Sequence, residues 1–158
     1  MSNTKKQNSY KTIKEIFTEM TKAYTQVEER LEKQKKQMTG KGRKLLLEWW
    51  LKRVHVLHDS LQQSLDNGSE EFLETWIQYI PKMQIIDAFE KPLNQENPDQ
   101  DSVVSACKNA HNELISFVKS IRDQTKVESV QKQLSSYITL LEKEKSSFEL
   151  SEKDLSKM

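Results

Sequence analysis

The sequence predicts an all-α protein, with an antiparallel four-helix-bundle-like core of two long helical hairpins. One or two short helices, at about 69–90, are expected in the connection between the hairpins. Apolar residues recur at alternating steps of three and four, which places them on one face of a helix. Only three Gly and three Pro occur in 158 residues, so the chain has few residues suited to tight turns. Charged residues make up 31% and the mean hydropathy is -0.81, which suits helices that bury one stripe each.

The first helix is predicted to begin between residues 10 and 13, after a flexible tail at 1–9, and to end near Met38. Thr12 and Glu15 have the spacing of a capping box, with Ser9 as a rival N-cap. A stripe this narrow over four heptads indicates another helix as its partner. Its members, with the single polar interruption Gln34, are Tyr10, Ile13, Phe17, Met20, Tyr24, Val27, Leu31, Gln34 and Met38.

The second helix is predicted over about 43–66, after a turn at 39–42 and before an Asn-Gly stop at 67–68. Its main apolar face contains Leu46, Leu47, Trp50, Val54, Leu57, Leu61 and Leu65. A second, smaller stripe lies on the opposite side and contains Leu45, Trp49 and Val56, which we call the outer stripe. The outer stripe is a candidate partner-binding surface, covered either by the short helices that follow or by another subunit.

The connection between the hairpins is predicted to hold a short helix from Ser69, its N-cap, to the break at Pro81. A second short helix is expected at 82–90, followed by a polar loop at 91–101. The apolar side of the first short helix is Phe72, Leu73, Trp76, Ile77 and Ile80.

The second hairpin is predicted as a helix over 102–123, a tight turn at 124–125 and a helix over 126–150, with 151–158 frayed. Thr125 and Glu128 have capping-box spacing. The first seam is Val103, Cys107, Ala110, Leu114, Phe117 and Ile121. The second seam is Val127, Val130, Leu134, Tyr137, Leu141 and Phe148, interrupted by Glu144. Together, residues 10–150 are expected to form one domain.

The chain reads as a soluble cytoplasmic protein. Cys107 is the only cysteine, so no internal disulfide can form, and its apolar helical setting indicates a small core residue. The first residues lack the apolar segment of a secretory signal, and no run approaches the ~20 apolar residues of a membrane span.

Charge is distributed unevenly although the net charge is only +1. Residues 1–58 carry 14 basic and 6 acidic residues, whereas residues 59–101 carry 2 and 10. The acidic middle either lies over the basic first third, or the two leave a bipolar surface that steers a charged partner.

The sequence argues against catalysis, metal binding and a cofactor. His55, His58 and His111 lack the Glu three residues earlier that a di-metal bundle uses, since those positions hold Lys52, His55 and Lys108. We expect these histidines at helix edges, facing solvent or carboxylates. No nucleophile motif or Cys/His pair stands at a catalytic spacing, so a non-enzymatic protein without a small-molecule substrate is predicted.

A basic segment around the first turn is a candidate anion-binding site. Its cations are Lys35, Lys36, Lys41, Arg43 and Lys44. The segment is either a solvated helix end or a site for nucleic acid, a phospholipid surface or an acidic protein partner. A pI near 7.8 and the lack of interleaved aromatic residues argue against a dedicated nucleic-acid binder.

These observations predict a helical-bundle protein–protein interaction protein, an adaptor or scaffold, with a protein partner or a second copy of itself. The alternative is an accessory factor that binds an anionic surface, nucleic acid or membrane, through the basic turn at 33–44.

Overall fold

The computed structural model describes residues 8–37, 39–83, 87 and 99–156, and it is mostly helical with a small two-stranded sheet. This confirms the predicted helical class, with the sheet as an addition. The elements in chain order are β1 (Asn8–Thr12), α1 (Ile13–Gln37), α2 (Lys41–Asn67), α3 (Glu70–Leu73), β2 (Trp76–Tyr79), α4 (Gln100–Arg122) and α5 (Glu128–Ser156).

The long helices pack in pairs around one core. α1 packs along α2 and α4 packs along α5, while α2 also contacts both α4 and α5 and so joins the pairs. The predicted seam of α1 is buried from Ile13 to Gln34, and that of α4 is buried throughout. On α2, the main face is buried from Leu46 to Leu61, with Leu65 partly buried against it.

α1 begins with the predicted capping box. The Glu15 backbone N–H donates to Thr12 Oγ1 at 3.2 Å, and the Thr12 N–H donates to Glu15 Oε1 at 3.0 Å. The helix carries Glu15 in its first turn and Lys35 and Lys36 in its last, which matches the charges to the helix dipole.

α2 begins without a side-chain cap. Gly40 occupies the N-cap position with φ 99°, a conformation that favours glycine, and it has no side chain to bond the first free N–H groups. The predicted stop is confirmed, since the Gly68 N–H donates to Ser64 O at 2.9 Å.

The small sheet corrects two predictions. Tyr10 was expected in the first helical seam, but it lies in β1 and is 53% exposed. Trp76 was expected on a helix that runs to Pro81, but it lies in β2, because the predicted helix ends at Leu73. β1 and β2 pair antiparallel, with Lys11 opposite Ile77 and Thr12 opposite Trp76.

The physical reason is that this segment is rich in residues that favour strands. Trp76, Ile77, Tyr79 and Ile80 are aromatic or β-branched, and they stand directly before Pro81. Ser69 still caps α3 as predicted, with its Oγ accepting from the Phe72 N–H at 3.1 Å. Phe72 and Ile77 are buried, so the predicted apolar contacts of this segment survive in part.

The second hairpin differs from its prediction at the ends. Asp99 caps α4, since its Oδ1 accepts from the Ser102 N–H at 2.7 Å. Thr125 Oγ1 accepts from the Val127 N–H rather than capping a helix at Glu128, so α5 begins two residues late and Val127 stays 39% exposed, outside the seam. α5 continues to Ser156, beyond the point at 151 where fraying was expected.

Most of the predicted short helix at 82–90 and of the polar loop at 91–101 lies outside the described residues.

The core contains a polar contact between α1 and α5. The Tyr24 and Tyr137 hydroxyls lie 2.9 Å apart and both side chains are buried. Burial raises the pKa of both phenols above its usual range, so both stay neutral and each satisfies the other.

Candidate partner-binding surface

The outer stripe is exposed along α2. Leu45 is 36% exposed and Val56 is 41% exposed, while Trp49 between them is half-buried. On the other side of the same helix, Leu46 and Leu47 are fully buried. α3, the short helix that the structure describes, leaves Leu45 and Val56 uncovered.

Trp49 is held in place by a contact that sequence reasoning did not find. The guanidinium carbon of Arg53 lies 4.1 Å from the centroid of the Trp49 ring, at cation–π distance. Arg53 Nη1 lies 3.3 Å from Glu144 Oε2, and Glu144 is only 3% exposed. The residue that interrupts the α5 seam is therefore the counter-ion of an arginine on α2, and this pair orients the tryptophan.

Two nitrogen atoms at this contact are buried without a hydrogen-bond partner: Trp49 Nε1 and Arg53 Nε. Buried donors are normally paired, and leaving one unpaired costs roughly 1–3 kcal/mol. The edge of the outer stripe therefore combines apolar area with donor groups that nothing in the described part of the chain satisfies.

The cations of the basic turn do not form an acid-free cluster. Lys35 Nζ lies 3.2 Å from Glu32 Oε1. Lys36 lines an open groove of about 410 Å³ between α1 and α2 whose wall also carries Glu28, Glu29 and Glu32. Acidic residues of α1 thus accompany the C-terminal lysines of that helix.

The remaining cations of the turn stand at the start of α2. Lys41 and Lys44 are exposed, and the side chain of Arg43 lies outside the described residues. These two lysines are the part of the candidate anion site that the structure leaves open to a ligand.

Two of the three histidines share one carboxylate. Glu28 Oε1 lies 3.0 Å from His58 Nδ1, and Glu28 Oε2 lies 2.5 Å from His55 Nδ1, without the alignment of a hydrogen bond. This confirms the expected pairing of helix-edge histidines with a carboxylate for His55 and His58.

The expectation is wrong for His111, which is 2% exposed in the core. Its Nδ1 lies 3.0 Å from Cys107 O, an arrangement in which the ring nitrogen donates, while Nε2 has no hydrogen-bond partner. Burial lowers the pKa of His111 below its ordinary value, so the ring is neutral near pH 7. Over the described ranges, no three or more His, Cys, Asp and Glu residues are placed to hold a metal ion.

A second exposed patch lies on the small sheet, and the sequence reasoning missed it. Trp76 is 63% exposed, Tyr10 53% and Tyr79 45%. The signal that could have found it was the run of aromatic and β-branched residues at 76–80, interrupted only by Gln78 and followed by Pro81, because such residues favour strands. Gln124 closes this end of the sheet: its Oε1 accepts from the Tyr79 N–H at 2.9 Å, and its amide nitrogen donates to Tyr79 O.

Comparison with known proteins found no matching family model, no matching curated protein and no matching solved structure. In the part of the chain that the structure describes, no helix has the length and apolar character needed to cross a bilayer.

Proposed function

We propose that this chain is a non-enzymatic cytoplasmic interaction protein, an adaptor or scaffold. Its four long helices form an antiparallel bundle of two hairpins, and the outer stripe of α2 docks a protein partner. The observation that carries the proposal is the exposure of Leu45 and Val56, 36% and 41%, on the helix that also supplies the centre of the core.

The composition of the outer stripe suits binding. Leu45, Trp49 and Val56 follow one another at steps of four and seven, so they form a narrow seam that a partner helix can cover. Tryptophan is among the residues most enriched at the energetic centres of interfaces. The stripe offers a central aromatic side chain with an aliphatic residue on each side.

The contact with Arg53 prepares Trp49 for binding. A side chain that is already fixed in the free protein loses less conformational entropy when a partner arrives. Arg53 is anchored to the buried Glu144, so the orientation of the indole ring depends on the fold of the whole bundle. This connects the docking surface to the folded state.

Site-specific photo-crosslinking tests the proposal. Benzoylphenylalanine replaces Lys52, which is exposed and lies between Trp49 and Val56, and a matched control carries the same probe at Lys132 on α5. We expect a covalent protein adduct, to another protein or to a second copy, from the probe at 52 in extracts of the native source. The adduct should disappear when Leu45→Glu is added. No adduct at 52 above that at 132 contradicts the proposal.

The second candidate function is that of an accessory factor that binds an anionic surface, nucleic acid or phospholipid. The observation that favours it is the exposure of Lys41 and Lys44 in the first turn of α2, which has no acidic residue. The triple change of Lys36, Lys41 and Lys44 to Gln should then remove salt-sensitive binding to duplex RNA or to vesicles with anionic lipid. If the unchanged protein binds neither probe at low salt, this function is excluded.

A further inference from the structure

The charges along α2 run against its own dipole. Lys41 and Lys44 stand in its first turn without an acidic residue, and its last turn contains Asp66 without a Lys or Arg. A helix has partial positive charge at its N-terminus and partial negative charge at its C-terminus, so this order is unfavourable within one helix. It becomes favourable beside a second helix that has the same charges and the opposite direction.

The outer stripe is self-complementary in that arrangement. Leu45 and Val56 lie at equal distances along the chain from the midpoint between Trp50 and Leu51. A second α2 laid antiparallel about that midpoint places Leu45 against Val56 of the other copy, twice.

The same midpoint relates Trp49 to the exposed Lys52. The antiparallel arrangement therefore places the lysine of one copy beside the indole ring of the other, a pairing of the cation–π type. Each copy already carries Arg53 at 4.1 Å from that ring, so the indole would lie between two cations.

The exposed charges follow the same symmetry. In the antiparallel pair, Lys41 of one copy lies within one residue of Asp59 of the other copy. Glu48 of one copy likewise lies within one residue of Lys52 of the other. All four side chains are exposed. Opposite charges thus meet at both ends and near the middle of the pair, and the uncapped basic start of each α2 lies beside the acidic second half of the other.

We propose that the partner on the outer stripe is a second copy of this chain, docked with α2 antiparallel to α2 about a two-fold axis that runs between the two helices, level with the midpoint of Trp50 and Leu51. The inference rests on the proposed function and names its partner. A second α2 matches both the apolar spacing and the order of charges by symmetry. An unrelated helix would match both only by coincidence, so a second copy is favoured.

The geometry is tested by disulfide trapping with the full chain. In an antiparallel pair, a Leu45→Cys chain mixed with a Val56→Cys chain gives a disulfide-linked dimer on mild oxidation. Either chain alone gives little product, because each cysteine then lies about 16 Å along the helix from its own copy. Native Cys107 is buried and serves as the background in the unchanged protein. Efficient linkage of the Leu45→Cys chain to itself indicates a parallel pair and overturns the proposal.

The charge pairing is tested by a swap. Lys41→Glu alone and Asp59→Lys alone should each weaken dimerisation about twofold to fivefold by sedimentation, and the combined variant should restore it, because exposed ion pairs contribute about 0.2–1 kcal/mol. Leu45→Glu should weaken it at least about thirtyfold, because it places a charge against the apolar Val56 of the other copy. Failure of the combined variant to recover contradicts the register.

The inference and the proposed function fail differently. A chain that stays monomeric by light scattering at all concentrations, while the probe at Lys52 captures a different protein, overturns the second copy and leaves the docking surface intact. No adduct of any kind at Lys52 removes both.

Discussion

α1 and α2 are neighbours of similar length in one hairpin, yet they meet their surroundings in opposite ways. α1 has a capping box at Thr12 and Glu15, lysines in its last turn, and an apolar seam that is buried from Ile13 to Gln34. α2 starts at an uncapped glycine, carries cations in its first turn and shows a second apolar stripe to solvent.

The difference between the two helices lies in how far their ends and apolar faces are satisfied by the rest of the chain. The ends of α1 carry the charges and the cap that suit them, and its apolar seam is buried. α2 contacts the other three long helices, yet it leaves the apolar side chains of Leu45 and Val56 exposed. It also carries cations in its first turn, where the helix dipole disfavours them. A helix with a satisfied inner face and an unsatisfied outer face is the position where we expect an external partner.

The largest expected effect separates the two faces of α2. Trp50 is 1% exposed and packs 6.3 Å from the Phe148 ring, so Trp50→Ala should lower the free energy of unfolding by about 3–5 kcal/mol. Trp49→Ala should cost only about 1–2 kcal/mol but should abolish partner binding. Urea denaturation beside the crosslinking assay measures both. Equal losses of stability would mean that the outer stripe is core.

The next effect concerns the edge of α2 that faces α5. Arg53→Met removes the cation from a carboxylate that is 3% exposed, so we expect a loss of about 2–4 kcal/mol. The double variant Arg53→Met with Glu144→Leu should recover most of that loss, because it leaves no buried charge alone. A double variant as unstable as the single one would show that the loss comes from packing on Trp49.

The third prediction removes a buried hydrogen bond between α1 and α5. Tyr24→Phe leaves the buried Tyr137 hydroxyl without its partner at 2.9 Å, which should cost about 1–2 kcal/mol. Tyr24→Phe combined with Tyr137→Phe should cost less than the single change, since no polar group then remains unpaired. Thermal unfolding at constant pH decides between these outcomes.

His111 extends the comparison to α4, because its Nε2 is as unsatisfied as the donors beside Trp49. Its pKa is lowered in the folded state by burial, with the nearby Glu144 acting in the opposite direction. In the unfolded chain the imidazole has its ordinary pKa of about 6.5. As the pH falls below that value, the unfolded chain binds a proton that the folded chain does not bind. The free energy of unfolding therefore decreases by up to about 1.4 kcal/mol per pH unit. Above that pH the stability is fully present. His111→Leu should flatten this part of the profile relative to the unchanged protein, and an identical slope would contradict the assignment.

The smallest effect is the one that best separates the monomer from the dimer. Lys41→Glu places a negative charge in the first turn of α2, which should stabilise the isolated chain by about 0.3–1 kcal/mol. The same change should weaken dimerisation. Unfolding measured at low protein concentration and sedimentation at high concentration give the two values, and a change of the same sign in both would remove the charge argument.

The long helices could be predicted because their signal is local. The spacing from Ile13 to Leu31 specifies a helix and its buried face without knowledge of any other segment. The outer stripe is equally local, since the positions of Leu45, Trp49 and Val56 follow from the helical period. What covers a stripe is a tertiary fact, and the sequence could only state the alternatives.

The missed features depend on contacts between distant residues. β2 forms because the residues of β1, which precede α1, pair with it. The apolar pattern from Trp76 to Ile80 by itself fits a helix equally well. Glu144 was visible as an intruder in the α5 seam, but its partner Arg53 lies on another helix. The burial of His111 was likewise hidden, since His at a seam edge turns inward only when the neighbouring helices leave room for it.

The two hydrogen bonds between Gln124 and Tyr79 bear on whether the edge of the small sheet can pair with another chain. A side-chain amide copies the donor and acceptor of a neighbouring strand, so the backbone of β2 at this residue is already occupied on its outward edge. Open edges next to exposed aromatic residues recruit other chains into intermolecular sheets. Gln124, two residues past the end of α4, thus occupies the backbone N–H and C=O of Tyr79, which a strand of another chain could otherwise pair with.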